Sequence, residues 1–139
     1  MASYNELLVS ARDAEALAAV VGDRRRTDRF EADAADALAG VLMDAQMVPH
    51  DRLPEDRVAM NSLVAYQEEP GGVRRSVAVV HPSVANPADG RISVLSPVGR
   101  ALLGRKSGAV ASIDVPGGRP LTIRVLEVER TRSLEEEAL

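Results

Sequence analysis

The feature that most constrains the fold is a change of hydrophobic period partway along the chain. Between residues 11 and 21, Ala14, Leu17, Ala18 and Val21 recur at helical spacing; between 31 and 47, Ala34, Leu38, Val41, Leu42 and Ala45 form one apolar stripe with Asp33, Asp36 and Asp44 off it. From residue 57 the period is two, in segments 57–67, 73–82, 91–95, 109–115 and 120–129. Helices first and strands afterwards imply an α+β fold, since each class of element must bury its apolar face against another. Residues 6–10 read as a short extended lead-in, Ser10 caps the first helix with Asp13 as a weak capping box, and Gly22 ends it. The polar stretch GDRRRTDRF, residues 22–30, then turns the chain into an antiparallel helical hairpin with arms of about 17–25 Å.

Two prolines and three acids in VPHDRLPED mark residues 48–56 as a linker, which divides the chain into a hairpin, 1–47, a strand-rich domain, 57–130, and a tail, 131–139. EEPGG at 68–72 and PGGR at 116–119 supply tight turns between antiparallel strands. One stretch interrupts the strands. In LSPVGRALLGRKSG, residues 95–108, Ser96 suits an N-cap and Pro97 the first helical position; Leu102 and Leu103 give an apolar face, and Gly104 suits a left-handed residue just past the end. Arg105 and Lys106 match the negative end of the helix dipole. The expectation is one short capped helix inside an antiparallel sheet.

Composition removes several classes of function. Of 139 residues 45% are hydrophobic but only 2% aromatic, so Val, Leu, Ile and Ala must fill the core and no stacking platform for single-stranded nucleic acid is available. A net charge of −4 weighs against coating a phosphate backbone, and no sequence-specific DNA binding is expected. With no cysteine, thiol chemistry, disulfides and thiolate-bound zinc are excluded. MASYNELLVSARD has neither a basic start nor a long apolar run, so a cytoplasmic protein without membrane attachment is expected.

Enzymatic signatures are missing as well. His50 lies in the linker and His81 before Pro82, neither with a recognisable helper, and both read as surface residues. No histidine pair has metal-ligand spacing, and no glycine-rich phosphate loop precedes a helix. Neither a catalytic residue nor a metal or cofactor site is expected. The remaining constellation is the hairpin tip, Asp23, Arg24, Arg25, Arg26 and Asp28, where the arginines offset the negative potential that would draw Mg²⁺. It reads as a solvated polar loop or as a contact with a protein or a phosphate.

RISVLSPVGRALLGRKSG, followed by DVPGG and LTIRVLEVER, resembles the carboxy-terminal domain of the bacterial Gre transcript-cleavage factors. AQMVPHDRLPEDRVAMNSLV, residues 45–64, resembles the join in a narrower branch, the regulators of nucleoside diphosphate kinase. The resemblance implies an FKBP-like antiparallel sheet around one short helix, attached to a short coiled-coil hairpin, in a protein that binds RNA polymerase at the rim of its secondary channel. It carries the rim contact onto Ser96 and Pro97 and the residue before them, Leu95, where cleavage factors often have a polar or acidic residue. Arg100, with Arg105 and Lys106, adds positive charge beside that contact. In Gre factors two acids at the tip of a much longer hairpin help hold a catalytic Mg²⁺; Gly22 and Asp23 match the start of that motif, but its glutamate position is Arg26. The expected function is therefore a non-enzymatic transcription regulator that competes with Gre factors, does not stimulate cleavage, and affects nucleoside diphosphate kinase indirectly. The alternatives are a true cleavage factor and, on fold analogy alone, an FKBP-like isomerase or chaperone.

Overall fold

The computed structural model describes residues 6–23, 28–114 and 117–130. The architecture is α+β. A strand β1 (Leu8–Ser10) leads directly into α1 (Ala11–Val21); α2 (Arg29–Asp44) returns and ends in β2 (Gln46–Val48), which pairs in parallel with β1. The remaining strands are β3 (Leu63–Glu69), β4 (Arg74–Val80), β5 (Arg91–Ser93), β6 (Val110–Ile113) and β7 (Leu121–Glu129), with one short helix α3 (Pro97–Leu102) between β5 and β6. They form a five-stranded sheet in the order β5-β4-β3-β7-β6.

Local chemistry accounts for most boundaries. Ser10 Oγ accepts from Asp13 N at 3.1 Å, the expected cap of α1. Asp28 caps α2, its Oδ1 accepting from Phe30 N at 2.8 Å, so that helix begins two residues before the expected start. It also stops early. Ala45 is extended, and Gln46 and Met47, expected to finish the helix, instead join Val48, expected in the linker, in pairing with the lead-in strand. The linker stretch carries a 3₁₀ turn, His50–Arg52, and the buried Leu53.

Two further departures concern the strands. Residues 57–62 do not extend β3: Ser62 Oγ accepts from Ala59 N at 3.0 Å and Asn61 takes a left-handed φ of 69°, so the alternation there belongs to a turn. The sheet is mixed, because β5 runs parallel to β4, reached through the 3₁₀ turns Pro82–Val84 and Pro87–Asp89. The other pairs of this five-stranded sheet are antiparallel. A bulge in β7 sets Ala65 opposite Glu127 and Tyr66 opposite Val125, and the carbonyl of the extra residue, Leu126, accepts from Ser107 Oγ at 3.0 Å.

Aliphatic side chains fill the core, as a chain so poor in aromatics requires. Leu17, Val20 and Leu38 of the hairpin lie in one cluster with Val64, Val79, Ile123 and Val125 of the sheet, Leu102 of α3 and Leu103 just past its end. Tyr66 is buried there, whereas Phe30 stands 85% exposed at the start of α2. Because hairpin and sheet share this cluster, the direction of the hairpin is set by the same contacts that seat α3.

A polar joint lies beside the cluster. The Asp13 carboxylate does not close the expected capping box; its Oδ2 accepts from Met60 N at 2.9 Å, tying α1 to the turn before β3. Burial holds the Asp13 carboxyl above its ordinary value of 3.8, opposed by the bond from Met60 and by the charges of His50, Arg12 and Arg130. The folded state therefore holds this proton more tightly than the unfolded state. Its contribution to stability is largest below 3.8 and is lost as the pH rises through the raised folded value. Asp13→Asn keeps an acceptor for Met60 N without the buried charge. Urea titrations between about pH 4 and pH 8 should show a flatter stability profile for the variant, and no loss of stability against the parent at the upper end.

Candidate functional site

Ser96 organises the region that sequence reasoning marked. Its N–H and its hydroxyl both donate to Ser93 O, at 2.9 and 2.7 Å, while its Oγ accepts from Gly99 N at 3.1 Å as the N-cap of α3. Leu95 is held on both sides of its peptide unit: its N–H donates to Ser93 Oγ at 3.0 Å, and its carbonyl accepts from Arg100 Nη1. The Leu95 side chain is half-buried against the core cluster, and Pro97 is exposed. The structure thus brings Leu95, Ser96, Pro97 and Arg100 together in one turn.

Arg100 is half-buried, and that burial pushes its pKa below the ordinary guanidinium value. Among the described residues no carboxylate pairs with it. Arg105 is different. Its Nη1 meets Glu6 Oε1 at 2.6 Å and its Nε donates to Ala101 O at 3.2 Å, so its charge is neutralised within the chain. Lys106 is exposed, and its backbone bridges to that of Arg57.

Two glycines let the helix sit where it does. A Cβ on Gly99 would lie 2.2 Å from Ser93 O and 3.0 Å from Ser96 Oγ, so the β5–α3 turn closes only on a residue without a side chain. Gly104 has φ +79°, the expected left-handed residue past the helix end, and a Cβ there would press on the Leu8 backbone at 3.2 Å.

Sequence reasoning missed Arg57, which is 6% exposed and whose Nη1 donates to Glu6 O at 2.9 Å and to Gly104 O at 3.1 Å. The available signal was a cation at the head of an apolar run, which reads equally well as the outer face of a strand. It also missed the groove beside α3, where Ala37 and Val41 of α2 face Pro97 and Arg100 across about 240 Å³. Nothing in the sequence pairs α2 with α3.

Asp23, just past the end of α1, lies one length of that helix, about 17 Å, from the β1 strand that joins Gly104. Arg24, Arg25 and Arg26 lie outside the described residues, as does the tail 131–139. Asp28 is the α2 cap, and Asp23 N donates to Val20 O at 3.4 Å. Among the described residues no cluster of three carboxylate or imidazole groups is arranged to hold a metal. His81 is exposed and local, its Nδ1 accepting from Ser83 N at 3.1 Å. His50 departs from the expected surface residue: it is half-buried, and its Nδ1 has no hydrogen-bond partner among the described residues. No described helix is long and apolar enough to cross a membrane.

In this chain the sheet seats a Ser-Pro-started helix and a helical hairpin packs into the same core, and comparison with known proteins places that arrangement in the GreA/GreB class. The family described as Transcription elongation factor, GreA/GreB, C-term matches residues 53–130. The solved prokaryotic transcription elongation factor GreA/GreB from Nitrosomonas europaea superposes with a TM-score of 0.68 at 30% identity, over 90% of this chain and 98% of that one. The Regulator of nucleoside diphosphate kinase of Escherichia coli (strain K12) is 38% identical over 95 residues, 68% of this chain and 70% of that protein. Transcription elongation factor GreA of Desulfovibrio desulfuricans is also 38% identical, over 74 residues, and there the match spans 46% of the longer protein. The chain belongs to the regulator of nucleoside diphosphate kinase branch of the GreA/GreB family.

The turn makes separable demands on stability. Gly99→Ala should cost about 1–3 kcal/mol, because backbone must move to admit the methyl group, and Ser96→Ala about 1 kcal/mol for the lost cap. Chemical denaturation of the two variants against the parent measures both.

Proposed function

We propose that the protein regulates transcription by binding RNA polymerase at the rim of the secondary channel through the start of α3, without stimulating transcript cleavage, and that it competes there with Gre factors. The observation that carries this reading is the Leu95–Pro97 turn: it is fixed from within by Ser93, Ser96 and Arg100, yet Pro97 is left exposed. A rigid, exposed turn loses little freedom when a partner meets it, so contact energy is retained as affinity.

Two features support docking without cleavage. The arms of 11 and 16 residues reach only about 17 and 24 Å, short for carrying a tip deep into a channel. At the tip the Asp28 carboxylate is engaged as a helix cap, and Arg26 stands where the resemblance puts the second acid. An influence on nucleoside diphosphate kinase would then be indirect, through transcription, and the protein would work in the cytoplasm. An isomerase reading is disfavoured because Tyr66, the one aromatic residue of the strand-rich part, is buried in the core instead of lining a pocket for proline.

Gel filtration with purified core RNA polymerase should show co-elution, and an excess of a Gre factor should displace the protein. Ser96→Asp keeps an N-cap acceptor for Gly99 N and gives up the hydroxyl's donation to Ser93 O, so Ser96→Asp combined with Pro97→Ala should be somewhat less stable but still folded while affinity falls by about tenfold or more. Unchanged binding by that double variant would remove the docking site. Backtracked elongation complexes should release no short 3′ RNA fragments when the protein is added with Mg²⁺, and fragment release that is lost in Asp23→Ala would establish the cleavage-factor reading instead.

A further inference from the structure

The groove beside α3 is not explained by the rim contact at Pro97. Its walls come from both halves of the chain: Ala37 and Val41 on α2, Pro97 and Arg100 on α3, and Ile113 at the end of β6. At about 240 Å³ it is smaller than the roughly 300–1,000 Å³ typical of sites that enclose a small molecule, but ample for one or two side chains of a docked protein. Its polar groups are not equivalent. Arg105 is paired with Glu6, and Asp114 is exposed, so solvent screens its charge. Arg100 is half-buried, uses Nη1 on the Leu95 carbonyl, and among the described residues has no anion for its other N–H donors. A guanidinium kept partly out of water with donors to spare favours a carboxylate, which it can bind through two parallel hydrogen bonds.

We propose that this groove receives an acidic side chain of the docked polymerase, ion-paired to Arg100, with apolar atoms beside that acid resting on Val41 and Ile113. The proposal rests on the docking reading above and deepens it. Pro97 is both the rim contact and a wall of the groove, so one partner surface can supply both contacts. Arg100 then has two jobs, holding the Leu95 carbonyl and meeting the acid, which couples the shape of the turn to the charge of its partner.

Substituting Arg100 would disturb both jobs at once, so the test acts from the opposite wall. Ala37 is exposed on α2 and lines the groove without contributing to α3. Ala37→Glu places a carboxylate of the chain itself opposite Arg100, and Ala37→Gln adds nearly the same bulk without charge; both residues favour helix. Fluorescence anisotropy of the labelled full chain, titrated with core RNA polymerase, should give about tenfold weaker binding for Ala37→Glu than for Ala37→Gln, a gap that narrows as salt is raised. Equal affinities for the two variants, or binding as tight as the parent's by Ala37→Glu, would overturn the acidic anchor and leave docking in place. Failure of the parent chain to bind the polymerase would instead overturn the docking reading, and this proposal with it.

Discussion

The backbone of Gly104 is the point on which the rest of the structure depends. Its carbonyl accepts from Leu8 N and from the Arg57 guanidinium, both at 3.1 Å, and its N–H donates to Val58 O at 2.9 Å. Through one residue the lead-in strand, the segment entering the sheet and the end of α3 are tied together. Burying a guanidinium is costly unless its donors are satisfied. Here the carbonyls of Glu6 and Gly104 both accept from Arg57 Nη1, and Gly104 lies at the negative end of α3, where a cation is favoured. A side chain on Gly104 would press on Leu8, so the same glycine that ends α3 admits the first strand.

This tie explains why the hairpin belongs to the fold instead of hanging from it. With β1 fixed at Gly104 and β2 paired beside it, α1 and α2 leave from one place, and Leu17, Val20 and Leu38 reach the cluster that also holds Leu102 and Leu103. Asp13 adds a polar contact on the same side through Met60 N. The groove between α2 and α3 is a consequence: its walls are held in place by the core beneath them and do not wait for a ligand to assemble.

Much of this was legible in the residues, and the division follows the range of the interactions. Features decided within one or two turns were readable: the Ser10 and Ser96 caps, Pro97 at the first helical position, Gly104 beyond the last, and an aliphatic core in a chain with three aromatic residues. What escaped depends on distant partners. Ala45 closes the apolar stripe of α2, and nothing local in Gln46 and Met47 signals that they leave the helix to pair with Leu8 and Val9. Residues 57–62 alternate like a strand, but Arg57 is drawn inward by carbonyls 47 and 51 positions away. The parallel β4–β5 pair likewise depends on the chain's path through Pro82–Asp89, which periodicity does not encode. In the candidate site the turn itself was visible and its opposite wall was not, since Ala37 is an unremarkable helical alanine until α3 is set across from it.

On the proposed reading, this branch shares a docking surface with longer relatives and acts differently on the polymerase, and the chemistry of the turn bears on how. Leu95 is half-buried where the resemblance expects a polar or acidic residue, so the chain brings no negative charge of its own to that position. The charge it does present there is positive and already ordered, because Arg100 is bound to the Leu95 carbonyl before any partner arrives. A cation fixed in advance adds to affinity with little cost in side-chain freedom, and burial beside Pro97 shields it from the salt that weakens exposed pairs. On the proposed reading, affinity would come from this turn, while any effect on catalysis would depend on how far a hairpin arm of about 24 Å reaches. The two properties sit on different elements of one rigid core. Hairpin length could therefore change through evolution without disturbing the turn, and a factor that occupies the site without delivering acids to the catalytic metal needs no new fold.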